Sequence, residues 1–324
     1  MFSYDNLHAL VEKEIHELPF PWPPESLYEP IRYILSLGGK RIRPILTLMT
    51  CNIFNDKIDN AITPAIGLEV FHNFTLLHDD LMDKADLRRN KPTVHKVWNA
   101  NTAILSGDAM VIAAYELMGQ TDPAYLSPVL NLFTQTALEI CGGQQYDMEF
   151  ESRDDVTEAE YIEMIRLKTA VLIACSMKTG AIIGGADEQD ADRLYQFGIH
   201  IGLAFQLMDD LLDVYGDTKV FGKAIGGDIL CNKKTFLLIH AFHLANEEQK
   251  EIMTDWINRT TFDPSEKISV FTSIYNTLQL KDLTTQKIEA YYQKAFDYLN
   301  SLNIDKEKLS ALTTLSEELM YRQK

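Results

Sequence analysis

The feature that most constrains this chain is a pair of aspartate clusters, each following an apolar run. The clusters are Asp79-Asp80-Leu81-Met82-Asp83 and Asp209-Asp210-Leu211-Leu212-Asp213. In a helix, the first and last aspartate of each cluster share a face, and like charges at this spacing need a counter-charge. Mg2+ is usually held by one or two carboxylates plus substrate phosphates. The pattern therefore predicts two helical clusters that face each other and bind a phosphorylated substrate through Mg2+.

Each cluster could instead be a solvated acidic face, because the chain carries a net charge of −17. The repetition of the motif, with the same kind of apolar run before it, argues against this alternative. The negative charge also argues against nucleic acid as a partner. An anionic substrate must therefore be held by a local basic patch, by metal, or by both.

Apolar residues recur at helical spacing along most of the chain, and no alternating β-branched run is present. This predicts an all-α fold. No Gly/Ser/Pro-rich linker divides the sequence, so we expect a single domain over residues 1–324. The N-terminus is unlike a signal peptide, no apolar run reaches the length of a membrane span, and the four cysteines form no CxxC pattern. We expect a cytoplasmic protein without an integral membrane segment.

Basic residues form two groups. The first is the turn Lys40-Arg41-Ile42-Arg43 after two glycines, followed by Arg88-Arg89 beyond the first aspartate cluster. Three cations within four residues predict a local anion site. The alternative is that they only stabilise a helix C-terminus, where Lys and Arg are favourable. Paired arginines suit bidentate phosphate recognition. The second group contains Lys168, in mid-helix, and the lysines that follow the second cluster, Lys219, Lys223 and Lys233.

His72 lies seven residues before Asp79, so it falls on nearly the same helix face two turns back. It is either a satisfied core residue or a substrate contact. Glu69 and His72 also form an ExxH pattern of the kind found in di-iron bundles, but the second ExxH that such a site needs is missing.

These residues together resemble the trans-isoprenyl diphosphate synthases, the polyprenyl synthetase family that includes farnesyl and geranylgeranyl diphosphate synthases. The resemblance covers nearly the whole chain. It rests on Gly38-Gly39-Lys40-Arg41-Ile42-Arg43-Pro44, the first DDxxD with its two arginines, Lys168-Thr169, the second DDxxD with Phe205-Gln206 before it, and Gly222-Lys223 through Lys233.

The resemblance implies an isoprenoid synthase helical bundle around a central cavity, usually a homodimer. It implies a prenyltransferase that condenses isopentenyl diphosphate head to tail (1'-4) with dimethylallyl, geranyl or farnesyl diphosphate. Three Mg2+ ions would bind with the allylic diphosphate, and the departed diphosphate would accept the final proton. The end of the chain, with Arg322 and Lys324, resembles a basic tail that closes the site in some members.

The resemblance also gives roles to matching positions. The direct metal ligands would be Asp79, Asp80, Asp83 and Asp209, with Asp210 and Asp213 acting through water or from behind the ligands. The isopentenyl diphosphate site would contain Lys40, Arg43, His72 and Arg89. The allylic diphosphate side would contain Arg88, Lys168, Thr169, Gln206, Lys223 and Lys233. Of these, we expect the direct metal ligands with Arg88, Lys168, Thr169, Gln206 and Lys223 to be catalytic, and Thr169 and Gln206 to offer oxygens to the carbocation.

Product length should depend on Phe74, which lies just over one helical turn before Asp79. A bulky ring there should stop the growing chain early, while Thr75 fills the neighbouring position only moderately. This predicts a C15 to C20 product, with geranylgeranyl preferred over farnesyl diphosphate. The alternative is that Phe74 merely packs the core.

Competing functions remain open. A longer-chain polyprenyl diphosphate synthase would need a deeper pocket. A class I terpene cyclase would share the fold and the first motif, but would normally lack the basic turn and the second DDxxD. A non-catalytic regulatory subunit tends to lose aspartates from one cluster, and both clusters are intact here. Two family positions differ: Asn90 replaces a usual glycine, and Ala224 a common proline.

Overall fold

The structure, a computed structural model, describes residues 2–20, 22–216 and 225–320. It is 79% helical with almost no strands, which confirms the all-α prediction. The chain forms two compact units, each built from separate segments. Unit 1 contains Met1–Thr134, Cys175–Leu194 and Ile304–Thr313, and unit 2 contains Gln135–Ala174, Tyr195–Asn303 and Thr314–Lys324. The single domain over 1–324 stays a prediction.

The first part of the chain forms six helices and one small hairpin. The helices are α1 (Tyr4–His16), α2 (Glu25–Ser36), α3 (Ile42–Phe54), α4 (Asp59–Met82), α5 (Val94–Val97) and α6 (Ala100–Gly119). The hairpin pairs β1 (Leu87–Arg88) with β2 (Lys91–Pro92) in antiparallel register.

The rest of the described chain is also helical. Its helices are α7 (Pro123–Glu151), α8 (Glu158–Ile165), α9 (Val171–Gly184), α10 (Glu188–Tyr215), α11 (Gly227–Leu230), α12 (Phe236–Leu244), α13 (Glu247–Asn258), α14 (Pro264–Thr277), α15 (Leu280–Asn300) and α16 (Lys306–Met320). A π-helical turn, Arg166–Ala170, joins α8 to α9.

Helix α4 is the central element of unit 1, and it ends at the first aspartate cluster as the sequence predicts. It packs antiparallel against α6, because Gly67 lies against the Ala114 carbonyl while His78 lies over Gly107. A Cβ at Gly107 would lie only 2.2 Å from Nε2 of His78. The glycine therefore makes room for the imidazole beside the aspartates.

In unit 2, small residues bring three helical segments into close contact. A Cβ at Gly143 of α7 would lie 2.4 Å from the backbone nitrogen of Lys168, so the two backbones approach closely here. A Cβ at Gly202 of α10 would lie 2.5 Å from Cα of Ala170. The backbone around the π-helical turn is thus held on two sides by glycines.

Among the described residues, one helical stretch, Glu158–Gly184, has the length and apolar character of a membrane span. Inside the protein, 72% of its most apolar window is buried. This is the character of a core helix, and no integral membrane segment is indicated.

Candidate active site

The basic turn begins where α2 ends. Gly38 has φ +73° and Gly39 has φ +143°, conformations that favour glycine, and Arg41 is also left-handed with φ +47°. The glycine pair therefore ends the helix. Pro44 lies in the first turn of α3, where proline is tolerated because its missing N–H would have no intrahelical partner.

Arg41 does not serve as a free cation of this turn, which corrects the expectation that three cations form the anion site. Its side chain is buried, and its Nε donates to Glu12 Oε1 at 2.7 Å while Nη1 donates to Glu69 Oε1 at 2.9 Å. Burial opposes the charge, but the hydrogen bonds and charges of these two carboxylates raise the Arg41 pKa overall. Arg41 is thus a structural cation.

Arg43, His72 and Arg89 form a cationic cluster around the turn. Arg43 Nη1 donates to His72 Nε2 at 3.0 Å, and a Cβ at Gly39 would lie 2.8 Å from Nη2 of Arg89. Arg43 Nε is buried, and no group in the described chain accepts from it. Three of the four residues predicted for the isopentenyl diphosphate site therefore lie together, with a buried N–H available to an anion. The fourth, Lys40, belongs to the same turn, and its carbonyl accepts from Tyr4 Oη at 2.9 Å.

The pKa values of Arg43 and His72 are both lowered in this cluster. Burial lowers the Arg43 pKa to about 10, against the charge of Glu69, and the charge of Arg89 adds to the lowering. Burial and the neighbouring arginines hold the His72 pKa well below its ordinary value. His72 is therefore neutral, and because its Nε2 accepts from Arg43, its proton is on Nδ1. Such a cluster favours binding of an anion.

The first aspartate cluster lies at the end of α4, and the hairpin directs one arginine to it. Asp80 is buried and accepts from Arg88 Nε at 2.7 Å. Arg89 has φ +51° and Asn90 has φ +61°, as a two-residue type I′ turn requires. Asn90 therefore adopts a left-handed conformation, which asparagine tolerates better than most residues. Asp83 follows Met82 as the C-terminal cap of α4.

In unit 2, the π-helical turn presents Lys168 and Thr169 to different partners. Lys168 Nζ donates to Asp147 Oδ2 at 2.6 Å, and Thr169 Oγ1 donates to Gln206 Oε1 at 3.1 Å. Gln206 in turn donates from Nε2 to Asp210 Oδ1 at 3.2 Å. Lys168 is therefore held in a hydrogen-bonded ion pair, and Gln206 links the threonine to the second aspartate cluster.

Carboxylates of the second cluster are crowded. Burial and the charge of Asp228 raise the pKa of Asp210 to about 7, although Tyr161 Oη donates to it. The same two causes raise the pKa of Asp213 to about 6, against the backbone hydrogen bond that Asp228 N donates to Asp213 Oδ2 at 3.0 Å. Asp213 also accepts at its carbonyl from Gly226 N at 2.7 Å. It therefore anchors the start of α11.

The chain is similar to known proteins in both sequence and structure. Residues 24–275 match the family model described as Polyprenyl synthetase. The geranylgeranyl pyrophosphate synthase of Geoglobus acetivorans is 42% identical over 260 residues, which cover 80% of each protein.

The chain belongs to the polyprenyl synthetase family.

It is accordingly a prenyltransferase. A solved structure of a geranylgeranyl pyrophosphate synthase is similar over 100% of both chains, with a TM-score of 0.94 and 43% identity. Another, from Corynebacterium glutamicum and complexed with isoprenyl diphosphate and magnesium, covers 99% of this chain and 100% of its own, with a TM-score of 0.89 and 26% identity. The recognised family and fold are thus confirmed.

The donor chemistry of this polyprenyl synthetase fits a divalent cation. Within the described ranges, no three His, Cys, Asp or Glu side chains converge on one point, so the protein alone does not form a complete metal cage. Mg2+ usually takes only one or two carboxylates and completes its sphere with water and substrate phosphates. Burial and the charge of Asp228 raise the pKa values of Asp210 and Asp213 despite the opposing charge of Lys233, so a further cation at these carboxylates would be favourable.

Some predicted residues lie outside the described part of the chain. Lys223 falls within residues 217–224, and Arg322 and Lys324 fall within 321–324. Lys233 is described, and its backbone N donates to the Asp228 carbonyl at 2.9 Å. The roles assigned to all of these residues stay predictions.

Sequence reasoning missed the partners of the predicted residues. Asp147 pairs with Lys168, Tyr161 donates to Asp210, and Glu69 binds Arg41. Asp147 follows the Gly142-Gly143 pair and Asp228 follows Gly226-Gly227, so a carboxylate just beyond two glycines was an available signal for two of the missed carboxylates. No local pattern distinguishes Tyr161, because its partner is 49 residues away in the chain.

Proposed function

We propose that this polyprenyl synthetase catalyses the Mg2+-dependent head-to-tail (1'-4) condensation of isopentenyl diphosphate with an allylic diphosphate, giving geranylgeranyl diphosphate and pyrophosphate. One observation carries the proposal: Arg43, His72 and Arg89 form a cationic cluster, with the Arg43 Nε buried, that is chemically distinct from the carboxylate clusters. A protein that binds two diphosphates needs two kinds of phosphate site. A class I terpene cyclase binds only one diphosphate and does not need the cationic cluster.

The cationic cluster is suited to isopentenyl diphosphate, which does not ionise during the reaction. Arg43 and Arg89 supply charge and N–H donors, Lys40 adds a third cation, and neutral His72 can donate from Nδ1. Binding here requires no metal. It orients one substrate so that the condensation becomes effectively unimolecular.

The allylic diphosphate is proposed to bind at the aspartate clusters. Bound Mg2+ would stabilise the charge that develops on the leaving diphosphate. The proposed ligands are Asp79, Asp80, Asp83 and Asp209, with Asp210 and Asp213 behind them, for three ions. Around these, Arg88, Lys168, Lys223 and Lys233 are proposed to contact the phosphate oxygens directly.

Thr169 and Gln206 are proposed to stabilise the allylic carbocation. Because Thr169 Oγ1 donates to Gln206 Oε1, the lone pairs of the threonine oxygen remain available to a positive carbon. Gln206 Nε2 donates to Asp210, so the orientation of its amide is fixed. These oxygens stabilise the cation as fixed dipoles without supplying a nucleophile.

Product length is proposed to be set by Phe74, with a smaller contribution from Thr75. The Phe74 ring packs between Phe71, at 5.4 Å between centroids, and His78, at 4.7 Å. Thr75 Oγ1 donates to the His72 carbonyl at 2.8 Å, which leaves only its methyl group to fill space. A ring held on both sides supports a pocket that ends at C20.

A homodimer is also part of the proposal. Helix α6 exposes Ile104, Leu105 and Ile112, with Ile112 71% accessible. Leu105 and Ile112 are seven residues apart and so share one face of the helix. An apolar helix face of this kind is suited to a second copy of the chain. The proposal also includes a cytoplasmic location and a single domain over residues 1–324.

The test is an assay of purified protein with Mg2+, isopentenyl diphosphate and, in turn, dimethylallyl, geranyl or farnesyl diphosphate, with products sized by mass spectrometry. We expect isopentenyl diphosphate to be consumed and C20 diphosphate to accumulate. Release of a hydrocarbon from the allylic substrate alone would indicate a cyclase. A C15 product that is not extended would indicate farnesyl diphosphate synthase.

A further inference from the structure

Helix α1 has an apolar stripe and a polar stripe on adjacent faces, and each stripe has its own role. Its apolar residues Leu7, Val11 and Ile15 are spaced by four and are buried. A polar stripe, formed by Tyr4, His8 and Glu12, has the same spacing and therefore lies along one side of the helix. Burial of the first stripe fixes the helix in unit 1, so the second is held at a defined place.

Each residue of the polar stripe contacts a different one of the three consecutive residues Gly39, Lys40 and Arg41, where the glycine pair meets the basic turn. Tyr4 Oη donates to the Lys40 carbonyl at 2.9 Å. The His8 Nε2 lies 3.1 Å from the Gly39 carbonyl. The third contact is the ion pair of Glu12 with the buried Arg41 side chain, at 2.7 Å. Three contacts with three consecutive residues hold this segment against α1.

These contacts fix the direction of the peptide groups in the turn. In a trans peptide, the carbonyl of one residue and the N–H of the next point in opposite directions. Because α1 binds the carbonyls of Gly39 and Lys40, the N–H groups of Lys40 and Arg41 point away from α1. The turn is left-handed at Gly39 and Arg41, so without external contacts its backbone would have other conformations available.

The turn also connects α1 to the cationic cluster. Gly39 lies beneath the Arg89 guanidinium, where a side chain would collide with it. Arg41 binds Glu69 of α4 as well as Glu12, and Glu69 is three residues before His72 on the same helix. A shift of the turn would therefore displace the groups around Arg89 and His72. Helix α1 lies before the 24–275 segment that matches the family model.

We propose that α1 positions the isopentenyl diphosphate site, with Tyr4, His8 and Glu12 holding the 39–41 turn in the conformation that Lys40, Arg43 and Arg89 need to bind the diphosphate. The proposal rests on the proposed function. It makes these three side chains positioning residues, because they contact the turn rather than the substrate. Their effect should be confined to isopentenyl diphosphate.

The test compares Tyr4→Phe, His8→Ala and Glu12→Gln with two control variants at the end of α1, His16→Ala in its last turn and Glu17→Gln at its C-cap. His16 and Glu17 are exposed, so the controls remove the same kinds of group without touching the turn. KM is measured for isopentenyl diphosphate at saturating allylic diphosphate, and then with the roles reversed. The affinity for isopentenyl diphosphate is also measured by calorimetry without metal, and thermal unfolding is recorded for each protein.

For each stripe variant we expect KM and Kd for isopentenyl diphosphate to rise about fivefold to tenfold, because each variant removes one hydrogen bond that holds the site in its binding conformation. KM for the allylic diphosphate and kcat at saturation should stay as in the wild type, and the controls should leave all four constants unchanged. The selective rise is the diagnostic, since general destabilisation would lower kcat or raise both KM values.

Two results would overturn the proposal. Unchanged KM and Kd for isopentenyl diphosphate in an active enzyme would show that α1 only packs, while the proposed function would stand. A parallel change in both KM values, with a lower unfolding temperature, would show a structural role alone. If the wild type neither bound nor consumed isopentenyl diphosphate, the proposed function itself would fail, and the role of α1 with it.

Discussion

Phe74 lies edge-on to the imidazole of His78, with 4.7 Å between the ring centroids and 69° between the planes. His78 is held in turn, because its Nε2 lies 3.2 Å from the Ile104 carbonyl and its ring occupies the space over Gly107. The proposed floor of the product pocket is therefore braced by a side chain adjacent to the first aspartate cluster.

Shortening Phe74 should lengthen the product. In Phe74→Ala the ring that blocks the growing chain is removed, so we expect products longer than C20, with Phe74→Leu giving an intermediate distribution. Chromatography of the dephosphorylated products measures this. Phe133→Leu is the matched control, because Phe133 packs against Phe71, at 5.1 Å between centroids, and makes no ring contact with Phe74 in the described structure. Equal lengthening in both variants would indicate general loosening of the core.

Two adjacent glycines in α7 should respond to alanine in opposite ways. A Cβ at Gly143 would meet the Lys168 backbone, so Gly143→Ala should cost about 1–3 kcal/mol of unfolding free energy and displace the Lys168-Asp147 ion pair. Gly142 has nothing within 4 Å of its Cβ position, so Gly142→Ala should stabilise the helix by about 0.5–1 kcal/mol. Urea unfolding and kcat measure both effects. A Gly143→Ala enzyme with full activity and stability would contradict the packing described.

Neutral His72 should make stability depend on pH. Its pKa is held well below 6.5 in the folded state, mainly by burial. At pH values between this lowered pKa and about 6.5, the unfolded chain therefore binds a proton that the folded chain does not. Stability is therefore lost as pH falls below about 6.5. From pH 7.5 to about pH 5.5, wild type should lose about 1 kcal/mol more than His72→Gln.

Urea midpoints at the two pH values measure the difference. The raised pKa values of Asp210 and Asp213 act in the opposite sense, because their folded forms retain protons as pH rises, but they are present in both proteins and cancel in the comparison. An equal pH response of wild type and His72→Gln would show that His72 can accept a proton in the folded state.

Removal of divalent metal should separate the two proposed diphosphate sites. With excess EDTA we expect condensation to stop, because no metal ion then stabilises the charge that develops on the leaving diphosphate. Isopentenyl diphosphate should still bind, since Arg43 and Arg89 bind phosphate without metal. Calorimetry in EDTA with Arg43→Gln as the comparison variant measures this. Loss of isopentenyl diphosphate binding in wild type on metal removal would place that substrate at the aspartates instead.

Local patterns predicted the helices well. The apolar spacing predicts one helix from Ile62 to Asp83, and α4 runs from Asp59 to Met82. The Gly38-Gly39 pair likewise predicts the end of α2, because this depends on the backbone preferences of two adjacent residues. The convergence of Arg43 and His72 was expected from the family resemblance and is observed.

What the sequence did not predict depends on distant partners. Arg41 reads as a cation of the basic turn, but its acceptors Glu12 and Glu69 are 29 and 28 residues away in the chain. No periodicity can reveal which arginine of a basic run will be buried against them. The π-helical turn at Lys168 is similar, because the apolar period on either side remains that of a helix.

That π-helical turn restricts how this enzyme can diverge. Lys168 and Thr169 reach Asp147 and Gln206 because the turn holds one extra residue relative to an α-helix, while Ala170 lies against Gly202. Deleting a residue there would rotate the following residues by about 100°, away from their partners. Substitutions can be tested here one at a time, but a single-codon deletion would move several contacts at once. Libraries that retune this enzyme should therefore vary residue identity in this segment and keep its length.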